Sequence, residues 1–446
     1  MRIIIIGGGE IGFALASQLA REHSVSVIDS AREVGQRFDA VDVAFVSGSG
    51  TSAEVLGRAG VATTDAVIAC TGLDEINMVA CAVARRLGAA RTICFVSRED
   101  FAGSDSSADA VRTHFGIERI IWPEAQLAEE IERIIRSPGA IDAETFADGR
   151  IQLLEFRLPA SSTLLGRPLA ALQLPRGALI VAVKRGDMIE IPRGHTHLFA
   201  DDKIFVMGVP TAVAEIAPQI HTGREGRAAQ LVTIIGGGDV GYRLAQRLDT
   251  GGIDLRIIER DRARGELLAS SLRHALVLHG DGTDLELLES EAIGRSDVLV
   301  SVIDNDERNL LASLLGRQLG VARLITRVSR PANLRLFGRV GIDVALSARG
   351  AAVNALVHEL QGGRAHLLAV LEEGQATIVE ITVPAGFGPR ALMDMKSPAH
   401  SVVGAIVRGT EVIVPRGPDQ IRAQDRLLVF AAADAVTRVR NYFGSA

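Results

Sequence analysis

Hydrophobic positions along the chain fall into short unbroken runs that end in glycine or an acid, with longer mixed stretches between them. Ile3 to Ile6 forms the first run and passes straight into Gly7, Gly8 and Gly9. Such a run, bounded by turn residues, predicts a strand buried on both faces, as in a parallel sheet. Val25-Ser26-Val27-Ile28 reads as the second strand and ends in Asp29. Later in each half the pattern changes. Short alternating runs such as Ile204 to Met207 and Leu427 to Phe430, separated by Gly, Pro and Asp turns, predict small β-rich units. No apolar stretch approaches the roughly 20 residues of a membrane-spanning helix. The leading run meets glycines rather than an h-region with a cleavage site, so no secretion signal is expected.

The pattern then restarts. Arg2 to Gly12 reads RIIIIGGGEIG and Leu231 to Gly241 reads LVTIIGGGDVG, an offset of 229 residues. VSGSGTSAEVL from Val46 matches LHGDGTDLELL from Leu278, and TGLDEINMVAC from Thr71 matches IDNDERNLLAS from Ile303, both at 232. The β-rich segments repeat as well: KRGDMIEIPRG from Lys184 parallels VRGTEVIVPRG from Val407, and Asp202 matches Asp425. At 446 residues the chain would by length alone hold about three domains, but the repeat implies four, in the order A-B-A-B. The expected boundaries are 1–137, 138–223, 229–362 and 363–446. They follow Ser-Pro-Gly after Arg136, the polar linker from His221 to Arg227, and Gly362-Gly363.

A strand followed by G-x-G-x-x-G and a helix is the fingerprint of a dinucleotide-binding loop. Gly7 permits the tight turn, Gly9 lets backbone approach a pyrophosphate, and Gly12 allows close packing of helix on strand. Gly236, Gly238 and Gly241 repeat the arrangement. The phosphate would sit at a helix N-terminus, where unpaired N–H groups and the positive end of the dipole face it. Asp29 and Glu259 close the second strands, 22 and 23 residues after the first glycine. An acid there accepts from a ribose 2′-hydroxyl and repels a 2′-phosphate, favouring NAD(H) or an adenosine nucleotide over NADP(H); the competing reading is a solvated turn. Gly48-Ser49-Gly50-Thr51 and Gly280-Asp281-Gly282-Thr283 close the third strands, as ligand-binding or plain turns. Thr71 and Gly72 follow the fourth strand, and Asp74-Glu75 and Asp306-Glu307 read as dipole-complementing residues at helix starts. Asn77 serves either the ligand or a cap. His195 and His197 have the spacing of one strand face, metal-binding or solvated, but the second copy has Pro418 and Gln420 there. Trp122, beside Pro123 at a helix start, is expected to pack in a core or interface.

Composition narrows the class. Hydrophobic residues make up 47% and glycines number 46, whereas aromatics are only 4%, which suits glycine-punctuated α/β layers. With 23% charged residues and a net charge of −6, there is no basic footprint for nucleic acid. Cys70, Cys81 and Cys94 form no C-x-x-C pair, so neither a disulfide framework nor a zinc knuckle is expected, and buried thiols in a cytoplasmic protein fit.

A repeated G-G-G-x-x-G, strand-ending acid, G-[DS]-G-T and T-x-x-D-E-x-N-M-V-A-C, each followed by a PRG…D unit, resembles the TrkA family over the whole chain. These are cytoplasmic nucleotide-binding regulators of bacterial Trk potassium uptake, with two tandem RCK modules (regulators of potassium conductance). The resemblance implies an α/β fold: two Rossmann-like parallel-sheet domains, each followed by a small α+β RCK C-terminal domain. It implies a homotetramer, peripheral on the cytoplasmic face of the membrane, that gates a Trk-type potassium-translocating subunit, with NAD(H) and ATP or ADP in the N-domains. Carried over by motif, the first site would comprise Gly7, Gly8, Gly9, Glu10, Ile11, Gly12, Asp29, Thr51, Thr71 and Gly72. The second would comprise Gly236, Gly237, Gly238, Asp239, Val240, Gly241, Glu259, Asp281 and Thr283. Two departures stand out: the acid of G-D-G-T is Ser49 in the first copy, and the fifth-strand arginine, present as Arg327, is Phe95. Arg98, three residues on, is the candidate substitute. Weakened cationic contact disfavours a triphosphate in the first site more than a dinucleotide.

The same fingerprint serves hydride transfer, so an NAD-dependent oxidoreductase is the alternative. Such an enzyme needs an acid or base beside the nicotinamide. Neither Tyr242 nor Tyr442 has a lysine four residues later, and Lys184, Lys203 and Lys396 belong to no motif. Duplicated binding units without a catalytic constellation point to sensing, and no catalytic or metal-ligating residues are expected. A DNA-binding repressor would need a basic recognition helix, and none is visible.

Overall fold

The computed structural model describes residues 1–21, 23–102, 106–250, 252–360, 365–371 and 375–444. The expected boundary at Gly362-Gly363 lies outside the described residues. By internal contacts the chain forms two compact units, Met1–Leu127 with Ser347–Glu359, and Ala128–Leu346 with Leu360–Ala446.

The first unit is built on a six-stranded sheet in the spatial order Val43–Ser47, Ser24–Asp29, Arg2–Ile6, Ala66–Ala69, Arg91–Phe95, Arg119–Ile121. All pairs are parallel, and the sequence order 3-2-1-4-5-6 is that of a Rossmann fold. Ile3 to Ile6 and Ala66 to Ala69 are buried throughout, because helices cover both faces and every side chain of these central strands meets a core. One core gathers Ile4, Ile6, Val67, Met78, Cys81, Cys94 and Trp122. Trp122 is buried, and the helix after it starts at Pro123, where a missing N–H costs nothing.

This unit also contains a helix the sequence repeat does not assign to it. Ala348–Leu360 follows the sixth strand of the second sheet, yet its residues 347–359 belong with the first unit. Glu359 pairs with Arg91 at 3.0 Å and Arg119 at 3.3 Å, and Arg349 pairs with Glu10.

The second unit repeats the Rossmann order with Leu276–His279, Asp254–Glu259, Leu231–Ile235, Val298–Ser301, Arg323–Arg327 and Val344–Leu346. Residues 128–136 of the helix Pro123–Arg136 belong here. Arg247 bonds Glu132 at 2.6 Å and Glu129 at 3.2 Å, and Arg323 donates to the carbonyls of Ile134 and Ser137. The same unit holds two five-stranded antiparallel sheets. The first runs Met188–Glu190, Ala178–Arg185, Lys203–Gly208, Ile151–Arg157, Asp142–Phe146. The second runs Ala365–Leu371, Ala376–Thr382, Arg426–Ala432, Ser401–Arg408, Glu411–Ile413.

The two antiparallel sheets share one core. Phe205 and Met207 of the first sheet pack with Leu428 and Phe430 of the second, the two Phe rings 5.9 Å apart. Leu427, Val429 and Ala431 alternate to the other side, against Val439 and Phe443 of the C-terminal helix Val436–Gly444. The period-two pattern therefore separates one core from another rather than core from solvent. Asp202 and Asp425, the repeated acids, are 2% and 1% exposed. Each is clasped by two bonds from an arginine, Arg185 at 2.9 and 2.8 Å and Arg408 at 2.8 Å for both. The same arginines donate to the carbonyls of His197 and Gln420, so this repeat element is structural. His195 and His197 are exposed; His195 lies in a turn and His197 makes an isolated antiparallel bridge with Pro168, so no strand carries the pair. No cluster of metal-ligating residues occurs among the described residues.

Candidate functional site

The glycine loop of the first unit is fixed by backbone packing. Gly7 has φ +106°, and a Cβ there would lie 2.9 Å from the Cys70 carbonyl oxygen. A Cβ on Gly12 would lie 1.8 Å from the Gly7 carbonyl oxygen. Only glycine satisfies both positions. Gly9 differs: it caps the helix Glu10–Leu19 with no side-chain partner, and a Cβ there would meet nothing within 4 Å. The open ground in front of Gly9 is where a ligand's phosphates could approach the helix N-terminus.

Asp29 faces this loop. Its Oδ2 accepts from the Gly8 N–H at 2.7 Å and its Oδ1 from the Ala31 N–H at 2.9 Å. A carboxylate has about four acceptor positions, so Asp29 shapes the loop and keeps capacity for a ribose hydroxyl. Gly7, Gly9, Asp29, Gly48, Thr71 and Gly72 line one cleft of about 330 Å³ at the C-terminal edge of the sheet, with Ile6, Ile28, Leu73 and Ile76 as its apolar walls. Cys70 also lines it, and burial, Asp29 and Cys94 push its thiol up to about 12, so it remains protonated at neutral pH.

The structure thus brings together Gly7, Gly9, Asp29, Thr71 and Gly72. Gly8 contributes through Asp29, Glu10 and Ile11 open the helix, and Gly12 lies beneath the loop. Thr51 is not part of the cleft lining; its hydroxyl is 2.8 Å from that of Ser49, which is. Arg98 is not brought to the cleft. Its guanidinium pairs with Asp100 at 2.7 Å and Glu75 at 3.5 Å and lies over the Phe101 ring. Asn77 is a structural lock, buried, accepting from the Thr71 N–H at 2.8 Å and hydroxyl at 2.7 Å and donating to the carbonyls of Thr71 and Phe95. Asp74 does more than complement a dipole, because it accepts from the N–H groups of Ser97 and Arg98 and ties the fourth and fifth loops together. Sequence reasoning missed Arg349, which meets Glu10 at the start of the loop helix; no motif marks it.

The loop of the second unit has the same geometry. Gly236 has φ +101°, a Cβ on Gly241 would lie 1.9 Å from the Gly236 carbonyl oxygen, and Gly238 is open. Glu259 accepts from the Gly237 N–H at 2.6 Å and the Asp261 N–H at 2.7 Å. Val240 is buried, and Asp239 opens the helix, 3.8 Å from Arg264. Asp281 accepts from the Thr283 N–H at 3.0 Å, the Thr283 hydroxyl at 2.7 Å and Arg308 at 2.7 Å. Burial alone would raise its pKa, but these three donors hold it below the ordinary carboxylate range. Arg327 pairs with Asp304 at 2.9 Å.

The two loops therefore differ in charge. Ser49 reproduces the turn bonds that Asp281 makes, and the position of Arg308 is Ile76 in the first copy. The first cleft lacks both the acid and the arginine and is neutral at that wall, whereas in the second unit Arg264 donates to the Gly237 carbonyl and Arg308 pairs with Asp281.

Tandem pairs of a Rossmann-like domain and a small antiparallel domain, each Rossmann sheet carrying an open glycine loop opposite a strand-ending acid, define a class of duplicated nucleotide-fold proteins. The TrkA-N domain model matches residues 3–123 and 232–348, and the TrkA-C domain model matches 153–221. The chain belongs to the TrkA family. It is 37% identical to a Trk system potassium uptake protein TrkA homolog of Methanosarcina mazei, covering 99% of this chain and 100% of the relative. Identity to the TrkA homolog of Archaeoglobus fulgidus is 35%, at 99% and 100% coverage. Identity to TrkA of Azorhizobium caulinodans is 30%, at 99% and 98%. Among solved structures, the GsuK channel bound to NAD shares the fold with a TM-score of 0.59 at 18% identity, covering 100% of this chain and 79% of that one. The GsuK RCK domain gives 0.58 at 19%, covering 100% and 95%.

Proposed function

We propose that the chain is the nucleotide-sensing regulatory subunit of a Trk-type potassium uptake system, assembled as a homotetramer on the cytoplasmic face of the membrane. The first cleft takes NAD(H), with the pyrophosphate before Gly9 and a ribose on Asp29. The arginine-lined second loop takes ATP or ADP, where Arg308 and Arg327 exchange their present carboxylates for phosphates. The observation that carries this reading is the first cleft itself: open backbone at a helix N-terminus, an acid opposite, and a protonated Cys70 in the lining. Four domains, divided at the boundaries expected from the repeat, supply the sensor. Nucleotide identity shifts the population of ring conformations through differential affinity, typically a coupling of about 1–3 kcal/mol, and the membrane subunit responds. The link to potassium uptake is supported by the TrkA relatives, which are named as potassium uptake proteins.

Calorimetric titration of the full chain with NADH, NAD, ATP and ADP tests the assignment. Saturable NADH binding is expected, weakened tenfold or more in Asp29→Ala, a loss of about 1.4 kcal/mol or greater. An unchanged isotherm in that variant removes Asp29 from the site.

A further inference from the structure

The second unit contains a cavity of about 370 Å³ that none of the nucleotide motifs touches. One wall is the first antiparallel domain, through Gly139, Ile141, Leu158 and Pro159; the other is the second Rossmann domain, through Arg323, Gly338 and Ile342. The linker residue His221 closes it.

Two buried nitrogen atoms at this place have no hydrogen-bond partner among the described residues. Arg323 is 5% exposed, and its Nη1 donates to the carbonyls of Ile134 and Ser137 at 3.1 and 3.2 Å, while its Nη2 has no partner. His221 is held through Nδ1, 3.1 Å from Glu225 Oε2, while its Nε2 has none. The His221 ring lies against Gly139, whose φ is +66° and where a Cβ would come within 2.4 Å of the ring. Burial pulls the Arg323 guanidinium down to about 10, against Asp343 and Glu225, which favour its charged form. Neither carboxylate satisfies it: Asp343 bonds Arg317 at 2.5 Å and the Leu324 N–H at 2.8 Å, and Glu225 bonds His221. Asp201 and Arg157, the other charged residues of the lining, are exposed. An interior guanidinium that keeps a free N–H and makes no ion pair is costly unless an anion completes it, and Arg is suited to carboxylate and phosphate oxygens.

We infer that this cavity is a second ligand site, distinct from the nucleotide loops, for a small organic oxyanion. Its carboxylate or phosphate head is bound by Arg323 beside the His221 ring, and its apolar body rests on Ile141, Leu158, Pro159 and Ile342. Both walls contribute, so the bound ligand joins the first antiparallel domain to the second Rossmann domain.

The test uses the full chain with phenyl phosphate and benzoate as probes, titrated at constant ionic strength. Saturable binding of either probe is expected, and the preferred one identifies the head group. Arg323→Met is expected to weaken it at least tenfold. Because Arg323 also supports helix carbonyls, Gly338→Phe is the second variant. Gly338 is helical, lines the cavity, and a Cβ there meets nothing within 4 Å, so Phe fills the space without removing a charge. Loss of probe binding in Gly338→Phe, with thermal stability and NADH binding retained, supports the site. Absence of saturable binding by both probes, or binding unaltered in both variants, overturns it. The NADH titration reads the nucleotide clefts separately, so failure here leaves that reading standing.

Discussion

At the scale of single residues, the glycines of one loop do different jobs. Gly12 is required by packing, since its Cβ would overlap the Gly7 carbonyl oxygen, whereas Gly9 faces open space. Gly12→Ala is therefore expected to destabilise the first unit by about 2 kcal/mol or more, in the range of overpacked cores. Gly9→Val should change stability by less than about 1 kcal/mol, as an exposed substitution does, yet abolish NADH binding by occupying the phosphate approach. Thermal unfolding and calorimetric titration of the two variants separate these effects; equal losses of stability would show that the loop's openness is not functional. The placement of Gly7, Gly9 and Asp29 around one cleft was legible in the sequence because strand, turn and helix dictate it locally. Arg98 was not, since position three residues beyond a strand does not fix where a long side chain points. Here Asp100 and Glu75 are nearer than the cleft. The loss of the acid at Ser49 became intelligible only with Ile76 facing the same wall, a pairing across two loops.

At the scale of elements, period two announced the strands of the small domains but not which surface each face meets. Leu428 and Leu427 look alike in sequence and enter different cores. A polar consequence is equally invisible along the chain. Glu130 on the helix Pro123–Arg136 comes beside Asp142 and Glu144 on the edge strand Asp142–Phe146. Burial first, then Asp142 and Glu144, push the Glu130 carboxyl up to about 8 against the pull of Arg133. Burial and Glu144 push Asp142 up to about 6 against Arg133 and Lys203. Both folded-state values lie above the unfolded ones, so the folded protein holds protons that the unfolded chain releases. Stability is then fully present below about pH 4 as far as these two groups are concerned, and falls as pH rises through the window up to about 8. The slope is at most about 1.4 kcal/mol per pH unit for each group. Calorimetric melting between pH 5.5 and 8.5 should show a declining Tm, and Glu130→Gln should flatten the upper part of the decline. A Tm that rises with pH across this range, or an identical slope in Glu130→Gln, would contradict the assignment.

At the scale of the whole molecule, the sequence repeat and the compact units do not coincide. Internal similarity divides the chain into two modules near residue 229, but packing assigns 347–359 to the first unit and 128–136 to the second. The repeat is written in motifs, whereas the helices after each sixth strand carry none, so the exchange could not be read from them. It gives the first Rossmann domain, which holds the cleft, contacts with the far end of the second sheet's sequence, through Arg349 on Glu10 and Glu359 on Arg91 and Arg119. A ligand at 100 times its Kd stabilises the unit that binds it by about 2.7 kcal/mol, and the added protection spreads over whatever opens together. Hydrogen exchange of the full chain with saturating NADH should therefore slow at Arg2–Ile6 and Glu10–Leu19 and, in step, at Ala348–Leu360, more than 300 residues away in sequence. The helix Asp239–Leu248 of the other loop is the internal control and should respond only to a nucleotide bound there. Arg349→Ala removes the ion pair with Glu10 and should reduce protection of Ala348–Leu360 while leaving Arg2–Ile6 protected. If NADH slows the N-terminal strand and leaves exchange in Ala348–Leu360 untouched in the unaltered chain, the exchanged helix is a passive strut and does not report the occupancy of the cleft.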